Sequence, residues 1–246
     1  MTQLPADTRR DTSLSTTTAQ QQTLAWGVHA FTASGVVIGF LALQAIFVGN
    51  ARLAFIWMAV ATLIDALDGM LARKAQVKAV LPQFDGARLD DIVDYFTFAI
   101  VPIVFLYHFQ LLPAGATLVF VAAPLVASAY GFCQAAAKTE DHYFTGFPSY
   151  WNIIAFYLYA GHTPVWFNGL IIGVLAVMVF VPIRYVYPSR TVILRWLSNS
   201  LGGVWGIMLR GIGWQLPDPA PGLVLGSLVY PVYYTALSLY LHTTTS

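Results

Sequence analysis

Residues 58–74 read MAVATLIDALDGMLARK, an apolar run of helical length that carries two carboxylates, Asp65 and Asp68, before it ends in Arg73 and Lys74. A carboxylate at the centre of a membrane helix costs about 2.5–3.5 kcal/mol on insertion scales, and less near the interface. One such residue is readily met by an interhelical hydrogen bond or by snorkelling. Two are harder to place, because both lie toward the C-terminal end of the run, where the helix macrodipole disfavours anions. Their i, i+3 spacing sets them on one face. A bound cation meets both conditions. Gly69, directly after them, removes a side chain where a bulky group could approach the backbone.

The chain around this run is built for the same solvent. Its 246 residues (27.0 kDa) are 58% hydrophobic and 9% charged, with a mean hydropathy of +0.67, whereas a soluble domain carries roughly 25% charged residues. This is an integral membrane protein. Crossing a hydrocarbon core of about 30 Å takes about 20 helical residues. Eight apolar stretches approach that length, near 24–48, 53–72, 91–109, 114–136, 147–160, 165–185, 200–215 and 222–241, the seventh being short and broken by glycines. The expected fold class is all-α, a polytopic helical bundle. Residues 1–23, rich in Ser, Thr and Gln and without the apolar core of a signal peptide, read as a polar arm preceding a single domain over 24–246.

The basic residues orient the bundle. With alternating spans, ten of twelve fall on one side: Arg9, Arg10, Arg73, Lys74, Lys78, Arg88, Lys138, Arg184, Arg190 and Arg195, against Arg52 and Arg210. Cytoplasmic loops carry the Lys/Arg excess, so both termini are expected inside. The formal net charge of +1 gives no basic surface for nucleic acid. Cys133 is the single cysteine, which excludes disulfide scaffolds and thiolate metal sites. Any metal is held by oxygen or imidazole. His108, His142, His162 and His242 are too dispersed to form a cluster.

Six of the eleven acidic residues, Asp65, Asp68, Asp85, Asp90, Asp91 and Asp94, fall within thirty positions. At the start of a span the last three could simply answer the helix dipole. Asp90 and Asp94, however, share a face at i, i+4, and Asp91 is turned away. A short reversal between the two spans would join both carboxylate pairs beside Arg73. Such an all-oxygen set suits hard divalent cations such as Mg²⁺ or Mn²⁺. Hard cations beside an arginine bind diphosphates and stabilise charge developing on phosphoryl oxygens. At a membrane boundary, the substrate class is a lipid-linked phosphate.

The pattern Asp65-x2-Asp68-Gly69-x2-Ala72-Arg73, then Gly86-x3-Asp90-x3-Asp94, resembles the signature of the CDP-alcohol phosphotransferases. The resemblance implies a membrane enzyme that exchanges the CMP of a CDP-activated group for an alcohol, with two divalent metal ions held by Asp65, Asp68, Asp90 and Asp94. It makes Asp94 the base for the acceptor hydroxyl, places Gly69, Ala72 and Gly86 against the nucleotide and Arg73 near the phosphates, and implies a homodimer. Twelve residues separate Arg73 from Gly86, more than the common family spacing. That longer spacer, with Gly146–Asn152 (GFPSYWN) and Tyr185–Arg190 (YVYPSR), resembles the bacterial branch that joins choline to CDP-diacylglycerol. An inner-membrane protein with its site facing the cytoplasm is then expected.

Choline carries a fixed positive charge and no N–H donor. Aromatic faces hold such groups at about 0.5–2 kcal/mol each. Tyr95, Tyr150, Trp151, Tyr185 and Tyr187 are the candidates, with Asn152 beside them, although Tyr and Trp also gather at membrane interfaces for their own reasons. Glu140 and Asp141 are the reserve candidates for the ammonium. In the first span His29, Thr32 and Ser34 could line the nucleotide pocket or bond to a neighbouring helix. Arg190 and Arg195 could contact a lipid phosphate, but the orientation of the bundle already accounts for them. Two other readings stay open: the same chemistry with serine, inositol or glycerol phosphate as acceptor, or a carboxylate-lined transporter. The second lacks a repeated pair of broken helices.

Overall fold

The computed structural model describes residues 18–134, 143–186 and 195–244. Its first two elements form a long helical pair, α1 (Ala19–Phe47) and α2 (Ala51–Lys74), joined by a tight turn at Val48–Asn50. α1 begins five residues before the apolar stretch. Thr18 and Gln21 form a capping box there: the Thr18 hydroxyl accepts from the Gln21 N–H at 3.3 Å, and Gln21 Oε1 accepts from the Thr18 N–H at 2.9 Å. Ala19–Thr23, expected in the polar arm, are helical. Asn50 caps α2 by accepting from the Leu53 N–H at 3.0 Å, and Arg73 and Lys74 occupy its last turn, where cations suit the dipole.

The long spacer folds into a turn of its own. Gln76 takes a left-handed conformation (φ 51°), followed by the single-turn helix α3 (Val77–Val80). Val77, Val80 and Leu81 bury their side chains with Ala25 and Val28 of α1. The extra residues thus add a small apolar plug under the loop. α4 (Gly86–Asp94) then starts at Gly86, with the Asp85 carboxylate accepting from the Arg88 N–H at 3.1 Å. Asp90, Asp91 and Asp94 were expected in a first turn; they lie beyond it. Their helix dipole no longer accounts for them.

A π-helical turn (Tyr95–Ile100) follows Asp94 and leads into α5 (Val101–His108). The wider turn resets the side-chain phase, so Val101, Ile103, Phe105 and Leu106 enter the core while Asp90 faces α2. α1 comes close to this helix through Gly35 and Gly39. A Cβ on Gly35 would lie 2.6 Å from Val93 Cγ1, and one on Gly39 would lie 2.5 Å from Phe96 Cε1. Such small residues let membrane helices pack by van der Waals contact, which replaces the hydrophobic drive available in water.

α6 (Thr117–Cys133), α7 (Trp151–Ala160), α8 (Val165–Met178), α9 (Arg195–Gln215), α10 (Pro221–Ser227) and α11 (Val229–Thr244) complete the bundle. Phe55 packs on Phe105 and Phe156 at the centre, with ring centroids 4.4 and 5.1 Å apart. Among the described residues, four segments are long and apolar enough to cross a membrane: Ala19–Phe47, Ala51–Lys74, Ala114–Cys133 and Pro221–Leu241. The other expected spans correspond to shorter or interrupted helices: Gly86–His108 carries the π turn, and α7 and α8 have 10 and 14 residues. One short antiparallel ribbon among the described residues accompanies the all-α bundle. β1 (Tyr143–Thr145) pairs with β2 (Arg184–Val186) in the register Tyr143↔Val186, Phe144↔Tyr185, Thr145↔Arg184.

Candidate active site

Asp65, Asp68 and Asp90 converge: one carboxylate oxygen from each lies within 4.8 Å of the others. Asp68 is buried, and Asp65 and Asp90 are half-buried. α2 contributes two ligands from adjacent turns, and α4 returns after the α3 loop to supply the third. Asp94 is half-buried one turn further along α4. It is not among the three. Four gathered carboxylates were expected; three are brought together, and Asp94 stands next in line. Asp91 is outside the group as well.

The donor set fits a hard divalent cation. It is all oxygen, with neither thiolate nor imidazole, and like charges this close favour a bound cation. Gly69 and Arg73 form a pair beside it: a Cβ on Gly69 would lie 3.3 Å from Arg73 Nη1, so the absent side chain leaves room for the guanidinium to fold back along α2. Arg73 is exposed, and Ala72 is half-buried. Gly86 lies against α1, where a Cβ would meet His29 Cε1 at 2.6 Å. This contact gives Gly86 a packing reason that the sequence pattern did not reveal.

The two stretches expected on the acceptor side lie side by side. Tyr185 is in β2, and β1 runs directly into Gly146, whose N–H donates to Ile183 O at 2.9 Å. Gly146 has φ 83° and faces the Val179 carbonyl, so only glycine fits. Phe147 N–H donates to Met178 O at 3.0 Å, and buried Ser149 takes φ 55° before α7 begins.

From there Asn152 donates through Nδ2 to Thr62 Oγ1 at 3.1 Å, tying α7 to α2 one turn before Asp65. The acceptor-side stretch is thereby anchored next to the carboxylates. Trp151, expected as an aromatic face for choline, is fully buried; its Nε1 donates to Ser128 Oγ at 2.7 Å and its ring packs on Phe147. With neither face open, it is a packing residue. Tyr95 is half-buried and turned toward α6, its hydroxyl donating to Leu125 O at 3.2 Å. Tyr150 is half-buried at the α7 entrance. Tyr187, Arg190, Glu140 and Asp141 lie outside the described residues.

In α1 the polar residues divide. The hydroxyls of Thr32 and Ser34 donate to Val28 O and Phe31 O of their own helix, at 3.4 and 2.6 Å. His29 reaches a neighbouring helix, as the contact with Gly86 shows. The signal for His29 was its place one turn before Thr32 on a polar stripe, which did not distinguish it from its neighbours.

A carboxylate trio on two adjacent helices, with an arginine over a glycine beside it, is a set of groups that could hold a metal ion. Residues 28–184 match the CDP-alcohol phosphatidyltransferase family, and the chain belongs to it. Among individual proteins, it is 41% identical over 230 residues to a phosphatidylcholine synthase of Legionella pneumophila, covering 91% of this chain and 90% of that one. It is 37% identical to a phosphatidylcholine synthase of Pseudomonas aeruginosa (88% and 91% covered) and 36% identical to one of Borreliella burgdorferi (89% and 94% covered).

Proposed function

We propose that this chain is a membrane phosphotransferase that condenses choline with CDP-diacylglycerol to give phosphatidylcholine and CMP. The observation that carries the reading is the convergence of Asp65, Asp68 and Asp90 within 4.8 Å inside the family's motif. The choice of choline is supported by relatives named phosphatidylcholine synthase that align along about nine tenths of the chain, and by the anchoring of Gly146–Asn152 one turn from Asp65.

Asp65, Asp68, Asp90 and Asp94 would hold two divalent ions, Mn²⁺ or Mg²⁺, which when bound supply positive charge to the diphosphate and to charge developing on its oxygens. Arg73 adds a cation at the phosphates. Gly69, Ala72 and Gly86 keep the nucleotide side free of bulk. Asp94, one turn beyond the trio, accepts the proton of the choline hydroxyl as that oxygen bonds to the lipid-side phosphorus. The bond from this phosphorus to the CMP oxygen breaks, and CMP leaves with the electron pair. A carboxylate is a weak base for an alcohol, so positioning and local positive charge carry most of the activation. Tyr95, Tyr150, Tyr185 and Tyr187 are the aromatic candidates for the ammonium. Asn152 sets the position of α7 against α2. Residues 24–246 act as one catalytic domain, in the bacterial inner membrane with the site toward the cytoplasm, and as a homodimer.

The test is CMP release from CDP-diacylglycerol by purified protein across choline, serine, inositol and glycerol phosphate. Release with choline alone is expected. A preference for another alcohol reassigns the acceptor, and no release with any of them favours the carrier.

A further inference from the structure

Among the described residues, one buried side-chain atom has no hydrogen-bond partner: Nε2 of His29. His29 is 5% exposed. A buried polar atom left unpaired costs about 1–3 kcal/mol, and an atom of this kind calls for an explanation in a native protein. Phenylalanine would fill the same space without that penalty.

The surroundings point to a ligand. The imidazole edge lies over Gly86, with a Cβ built there 2.6 Å from Cε1 and 3.1 Å from Nδ1. Phe84 stacks obliquely on the imidazole with centroids 4.5 Å apart, Trp26 meets it edge-on at 5.9 Å, and Trp26 and Phe84 touch at 5.2 Å. Trp26 is 47% exposed, so the cluster runs from the protein's outer surface to the buried nitrogen. Gly86 is also the start of α4, four residues before Asp90. An imidazole packed on two aromatic rings therefore lies against the glycine at the head of the carboxylate helix.

We infer that His29 is a positioning residue for the nucleoside half of the activated lipid, its Nε2 hydrogen-bonding to the base or ribose while Trp26 and Phe84 offer flat faces beside it. This rests on the proposed CDP-lipid chemistry. The carboxylates hold the phosphate end, and the α1 cluster fixes the other end of the nucleotide relative to them.

The test compares full-length wild type, His29→Phe and His29→Gln, using CMP and inorganic phosphate as soluble probes. His29→Phe keeps the ring contacts and removes both nitrogens. It should bind CMP roughly 3–10-fold more weakly, with phosphate binding unchanged. The KM for CDP-diacylglycerol should rise by the same factor while kcat and the choline KM stay put, and the unliganded protein should melt no lower than wild type. His29→Gln, which can place an amide near the Nε2 position, should recover part of the loss. In wild type, the ¹⁵N resonance of His29 Nε2 should shift with CMP and not with phosphate. Unchanged CMP affinity in His29→Phe overturns the inference, as does an Nε2 resonance indifferent to CMP. Should His29→Phe fail to fold, the wild-type resonance decides alone. Wild type that neither binds CMP nor releases it from CDP-diacylglycerol sinks the proposed function, and this inference with it, whereas CMP release with a silent His29 sinks the inference only.

Discussion

The carboxylate site and the entrance to α7 arrange their polar groups by opposite rules. Where α2 and α4 meet, three like charges lie within 4.8 Å of one another. At the head of α7, polar atoms are matched to each other, Asn152 with Thr62 and Trp151 with Ser128. In the first arrangement, like-charged carboxylates at that separation favour a bound cation. The second is complete within the protein. The contrast separates a region built to bind from one built to hold shape, and it sorts substitutions by what they should damage.

The largest effect is expected in the first region. Asp68→Asn and Asp90→Asn should each lower CMP release by about 10²–10³-fold, with the helical circular dichroism intact. A comparable activity loss from Asn152→Ala with unchanged stability would erase the distinction between the regions.

Next come the half-buried tyrosines. Tyr150→Leu or Tyr95→Leu should raise the choline KM roughly 5–30-fold if the residue contacts the ammonium, leaving the KM for CDP-diacylglycerol nearly unchanged. Trp151→Phe should behave differently: it strands the fully buried Ser128 hydroxyl and should cost about 1–3 kcal/mol of stability without acceptor selectivity. A selective choline defect in Trp151→Phe would show that the indole reaches the substrate after all.

The smallest effect sharpens the phase of α4. Asp91 lies outside the carboxylate trio although it adjoins Asp90, so Asp91→Asn should change CMP release by no more than about threefold. Equal loss in Asp90→Asn and Asp91→Asn would place the ion-binding face elsewhere on the helix.

The same contrast explains what could be read in advance. Asp65 and Asp68 were legible because an apolar helix gives a carboxylate few partners, and i, i+3 spacing fixes their common face. The return of Asp90 followed from the next apolar run. The exact helix start was hidden, since hydropathy marks where a chain becomes apolar and misses polar turns such as Gly86–Asp90 and Ala19–Thr23, which are helical through the Asp85 cap and the Thr18–Gln21 box. The π turn at Tyr95–Ile100 leaves no trace in composition. The burial of Trp151 was hidden because the same residue type serves as an interface anchor, a cation-binding face or a buried donor, and its contact with Ser128 shows only in three dimensions. The ribbon joins segments about forty residues apart, a pairing that no local periodicity announces.

The most direct test of the central claim is a Mn²⁺ titration of the purified protein in lipid, followed by the loss of the free-ion electron paramagnetic resonance signal. Saturable binding by wild type, strengthened by CDP-diacylglycerol and abolished in Asp68→Asn and Asp90→Asn but not in Asp91→Asn, is the predicted result. Binding that is absent in wild type, or equal in all four proteins, would contradict a metal site at the meeting of α2 and α4.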